Sequence, residues 1–102
     1  MNTANLQLEG LLMAIAGLNQ MLVAKGLVSI EEIDQCLARS EQIVLGDDRV
    51  SEDLSPAHRD AIAFPARLLR LANNNRDGAS MPSFTALARR VGETKGPDND
   101  QL

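Results

Sequence analysis

Lys25-Gly26-Leu27-Val28-Ser29-Ile30-Glu31-Glu32 closes one helix and opens another. Gly26 is free to take the left-handed conformation that ends a helix, and Leu27 stands where an apolar side chain folds back onto the last turn. Ser29 is placed to cap the helix that follows. Glu32, three positions on, reaches back to that cap, and Val28 with Ile33 supplies the flanking apolar pair. This stretch predicts two helices joined by a short turn, and therefore an antiparallel hairpin.

Upstream of the turn, the periodicity predicts a helix from Asn5 to Lys25, about 30 Å long at 1.5 Å per residue. Leu8, Leu11, Ile15, Leu18 and Leu22 step by three and four along one seam. Gly10, Ala14, Gly17, Met21 and Ala24 form a second series, about 120° round the helix. A surface helix of a small monomer normally buries one stripe. The second stripe therefore points to a homodimer, with Gly10, Ala14, Gly17 and Met21 as its interface. Two glycines inside one helix, each costing about 0.5–1 kcal/mol relative to Ala, suggest a packing reason.

Downstream, a helix is expected over Ile30–Leu45, ended by Gly46, with Ile30, Ile33, Leu37 and Val44 as the seam matching helix 1 and Cys36 and Ile43 broadening it. Asp47, Asp48, Glu52 and Asp53 then give an acidic connection without the central glycine or spacing of a calcium loop. Ser55-Pro56 opens a third helix, serine at the cap and proline at the first helical position. Pro65 disfavours helix at Phe64 and predicts a kink or break there. Asn73-Asn74-Asn75 ends that helix, and a short fourth begins at Pro82 or Ser83 and stops at Gly92. The fold class is all-α: a small four-helix domain over residues 1–92, with a kinked third helix, a short fourth and a disordered, polar C-terminal tail over 93–102.

Composition limits the function. In 102 residues there is room for one modest core. Two Phe with no Trp or Tyr leave Leu, Ile, Val, Met and Ala to build it, and remove the stacking platform used for single-stranded nucleic acid. One cysteine and one histidine, Cys36 and His58, make neither a disulfide nor a zinc site. Cys36 is read as a buried small hydrophobe and His58 as a surface residue of the first turn of helix 3. No nucleophile stands beside a recognisable base, and no phosphate loop is present. No cofactor, metal or catalytic residue is assigned, and an enzyme or small-ligand binder would need a site between subunits. The N-terminus lacks the basic start of a secretory signal. The longest apolar run, Leu11–Leu18, is less than half the roughly 20 residues of a membrane span. A cytoplasmic protein with no membrane contact is expected.

The net charge is −4, unevenly spread: four basic against ten acidic side chains in residues 1–60, and six against four in 61–102. Arg67, Arg70, Arg89 and Arg90 are the candidate contacts for an anionic partner, whether a protein or the acidic half of a second copy. The alternative to an interaction module is a nucleic-acid-associated regulator using the arginine-rich segment 61–92, within which Leu87-Ala88-Arg89-Arg90-Val91-Gly92 resembles the first helix and turn of a DNA-binding helix-turn-helix. The likeness stops at Gly92. Glu93 replaces the apolar residue expected there, Gly96-Pro97 falls where a recognition helix would run, and Asp98 and Asp100 would face phosphates. Sequence-specific DNA binding is not expected. Met21 to Val28 also resembles the N-terminal helical arm of nitrile hydratase subunits, which wraps a partner subunit. That family's metal-binding cysteine cluster is absent, so the resemblance implies association alone.

Overall fold

The computed structural model describes residues 3–46, 55–75 and 81–93. They form four helices and, among the described residues, no strand: α1 over Thr3–Ala24, α2 over Ile30–Gly46, α3 over Pro56–Asn73 and α4 over Phe84–Glu93. The acidic connection and the polar tail beyond Glu93 lie outside the described residues.

Local chemistry sets the helix ends. Gly26 sits at φ 75°, the left-handed conformation expected of it. Its N–H donates to the Val23 carbonyl at 2.9 Å, and the Leu27 N–H donates to the Leu22 carbonyl at 3.1 Å. This pair of bonds is the Schellman closure. At the start of α2 the capping box is complete: the Glu32 N–H donates to Ser29 Oγ at 3.0 Å and the Ser29 N–H to Glu32 Oε1 at 2.8 Å. Ser55 Oγ caps α3 through the His58 N–H at 3.3 Å, with Pro56 following. Ser83 does the same for α4, accepting from the Ala86 N–H at 3.1 Å.

Pro65 does not end α3, which runs on to Asn73. Proline removes the N–H that would bond the Ala61 carbonyl. Ala61 is exposed, so water can take that carbonyl.

α3 is the central helix. It carries the buried Ala63, Leu68, Leu69 and Ala72, and packs against α1, α2 and α4. Leu12 and Ala16 of α1, and Leu87 and Val91 of α4, complete the core around it. Phe64 and Phe84 meet edge to face with centroids 6.1 Å apart, tying α3 to α4. The main packing surface of α2 is α3, which corrects the expectation that its seam matches helix 1. Ile33 is buried, and Leu37, half-buried, packs on the core. Cys36 and Ile43 fall on the other side and are exposed, so Cys36 is not the buried hydrophobe its apolar neighbours predicted. They lie seven residues apart, on a stripe turned away from α3.

Candidate interaction surface

The rotation of α1 about its axis differs from the expected one. Its buried residues are Leu12 and Ala16, each 3% exposed. The leucines of the seam face outward instead: Leu11 is 57% and Leu18 56% exposed, and Leu8 and Leu22 are exposed with them, while Ile15, half-buried, packs on the core. Gly10, Ala14, Gly17 and Met21, the expected interface residues, are also exposed. At 3.6 residues per turn these exposed residues and Leu6 share one sector roughly 200° wide, turned away from Leu12 and Ala16. Of the polar residues, Gln7 is exposed within this sector, Asn5 and Gln20 are exposed outside it, and Glu9 and Asn19 lie on the inner side. Glu9 and Asn19 are half-buried there. α1 therefore turns a broad apolar surface outward, while the half-buried Glu9 and Asn19 face its own chain.

The glycines of this sector take no part in packing within the chain. A Cβ placed on Gly10 or Gly17 would meet nothing within 4 Å. The close approach they permit is unused by α2 or α3. Glu9 is the one charged residue within α1, and it lies off the outward sector, leaving that surface without charge until Lys25. By length and composition α1 is also apolar enough to cross a membrane, with mean hydropathy 1.3 over its 18-residue stretch.

The candidate arginines divide into two sets. Arg67 and Arg70 belong to a clasp between α2 and α3. Arg70 forks onto Asp34, Nε to Oδ1 at 2.9 Å and Nη2 to Oδ2 at 3.2 Å, and its Nη1 lies 3.7 Å from Glu41 Oε1. Arg67 donates to Glu41 Oε2 at 3.0 Å and to Asp60 Oδ1 at 3.1 Å. The Asn74 side chain adds a bond to Asp34 Oδ1 at 3.0 Å, and the Asn73 side chain donates to the Ile30 carbonyl at 2.9 Å. Early α2 residues thus meet late α3 residues, so the two helices run antiparallel. Hydrogen bonds from Arg70 first, then Asn74, hold the Asp34 carboxyl below its usual value. Arg70 is raised, chiefly by its hydrogen bond to Asp34. For Arg67, burial acts against the charge, and bonds to Glu41 and Asp60 outweigh it, leaving it raised. Both guanidinium groups are spent inside the fold. Arg89 and Arg90 are exposed on α4, opposite the buried Leu87 and Val91, and form no ion pair among the described residues.

Sequence reasoning missed this clasp, because its partners stand 26 and 36 residues apart on different helices. The sequence shows the charges, acidic Asp34 and Glu41 seven apart on α2 and basic Arg67 and Arg70 three apart on α3, and not that they meet. A cleft of ≈ 190 Å³ lies where α1 ends, α2 begins and α3 ends, walled by Val23, Ile30, Ala72 and Met81 and rimmed by Gln20 and Asn75. It is small beside the roughly 300–1,000 Å³ of ordinary ligand pockets. His58 is exposed, and no cluster of metal-ligating side chains occurs among the described residues. No protein-family model matches the sequence, no curated protein matches it and no solved structure matches it.

Proposed function

We propose that this chain is a small cytoplasmic helical interaction module that forms a homodimer through α1. The observation that carries the reading is the outward, uncharged, apolar side of α1. In water such a surface favours burial against another apolar surface. Two occupants compete for it, a bilayer and a second copy. A bilayer span would place Asn5, Glu9, Asn19 and Gln20 in hydrocarbon and pull Leu12 and Ala16 from the core they share with Leu68 and Leu69. Lying on a membrane surface is favoured by Lys and Arg flanking the apolar side, and α1 has none within it. The net charge of −4 also opposes approach to anionic lipid. A second copy brings an equally neutral surface and leaves no charge unpaired.

Arg89 and Arg90 remain as the contact points for an anionic protein partner of the dimer. The alternative, a nucleic-acid-associated regulator working through residues 61–92, is weakened because Arg67 and Arg70 are engaged by Asp34, Glu41 and Asp60.

Sedimentation equilibrium tests the proposal. The wild-type chain is expected to be dimeric at about 100 μM, a concentration that corresponds to roughly −5.5 kcal/mol of association free energy. Leu18→Glu, at an exposed position, is expected to give a monomer with the same helical content by circular dichroism. A wild-type monomer at that concentration overturns the proposal. So does binding to lipid vesicles that Leu18→Glu abolishes, which would assign the surface to a membrane.

A further inference from the structure

The outward sector of α1 has an asymmetry that bears on how two copies meet. Along its centre line run Gln7, Ala14 and Met21, seven residues apart. One edge carries Gly10 and Gly17, whose Cβ positions open onto empty space. The other edge carries Leu11 and Leu18, both more than half exposed. One edge is a pair of notches and the other a pair of knobs, and each knob lies one residue along the helix from a notch.

Two-fold symmetry allows two ways of laying α1 against its copy. With the helices antiparallel, the axis is perpendicular to both, and each edge meets the same edge of the partner: glycine against glycine and leucine against leucine. One side is then crowded while the other gapes. With the helices parallel, the axis runs between them along their length, and each edge meets the opposite edge. Leu11 then stands beside the partner's Gly10 and Leu18 beside the partner's Gly17, on both sides of the interface. Interdigitation of large with small side chains is what fills space at native density.

We infer that two copies pair through α1 in parallel, in register, with the leucine edge of each seated on the glycine edge of the other. This rests on the self-association proposed above and adds its direction. The centre line follows from it: Gln7, Ala14 and Met21 each face their own counterparts across the axis. A level Gln7 pair places two amides where they can hydrogen-bond to each other.

Disulfide trapping separates the arrangements. In a Cys36→Ser background, which removes the exposed native thiol, Gln7→Cys and Met21→Cys are introduced singly and oxidised mildly. Both positions lie on the outward side of the helix, away from the core. The parallel pairing is expected to convert most of each variant, alone, to a disulfide-linked dimer, because its two thiols lie level across the axis. An antiparallel pairing would leave each variant unlinked alone and yield a disulfide-linked heterodimer when the Gln7→Cys and Met21→Cys proteins are mixed, and that result overturns the inference while sparing self-association. A dimer by sedimentation with no linkage in either arrangement also overturns it. A monomeric Cys36→Ser protein, with wild type also monomeric, sinks the underlying reading instead.

Discussion

At Gly26 the backbone lies at φ 75°, yet a Cβ there would meet no neighbour within 4 Å. The cost of a side chain is therefore conformational alone, about 1–2 kcal/mol for an L-residue held in the left-handed region. Ser29, two residues after the Schellman closure, closes the capping box with Glu32. Its removal is expected to cost about 1 kcal/mol. Urea melts of Gly26→Ala and Ser29→Ala should both shift to lower midpoints, and a Gly26→Ala melt that overlays wild type would mean the turn is not held in this conformation. Gly10 and Gly17 present the opposite situation. They sit inside a helix with ordinary backbone angles, so glycine there costs helix stability without a return inside the chain.

Between elements, the α2–α3 clasp makes stability depend on acid. The Asp34 carboxyl is held below its ordinary 3.8 by hydrogen bonds from Arg70 and Asn74. A carboxyl lowered in the folded state contributes its stabilisation fully above the unfolded value and loses it as pH falls through the folded value. The urea midpoint of wild type is therefore expected to exceed that of Asp34→Asn above about pH 5, and the gap should narrow below about pH 4. A gap that stays constant from about pH 6 to about pH 2 would show that the ion pair with Arg70 contributes nothing that titrates. The raised values of Arg67 and Arg70 leave both groups charged throughout this range.

At the scale of the whole molecule, Leu68 and Leu87 are the largest fully buried side chains among the described residues, and the core around them is small. Leu68→Ala deletes packing at the centre of α3, where α1 and α4 converge, and is expected to cost about 2–5 kcal/mol. Domains of this size are stable by only about 5–15 kcal/mol in total. A urea melt should show a large drop in midpoint, and a loss under about 1 kcal/mol would contradict the placement of the core. If dimerisation covers α1, the melting midpoint of wild type also rises with protein concentration, since the partner binds the folded state alone.

Where the helices begin and end was legible from the residues alone. Gly26, Ser29, Ser55-Pro56 and Ser83 act on their own backbone or on that of residues three or four away, so no distant partner is needed. That α1 carries two apolar series was equally legible. Which side of α1 turns inward was left to the tertiary structure. The leucine seam and the Leu12–Ala16 stripe are both apolar, and hydrophobic periodicity alone does not rank two such stripes. Ala16 with Leu12 won because they fit against Leu68, Leu69 and Ala72 of the central helix. The same holds for Arg67 and Arg70. A count of charges leaves them free for an anionic partner, whereas the antiparallel packing of α2 on α3 brings Asp34 and Glu41 to them across 36 and 26 residues of chain. Contacts at that separation depend on how whole helices settle on one another, and local sequence carries no record of that choice.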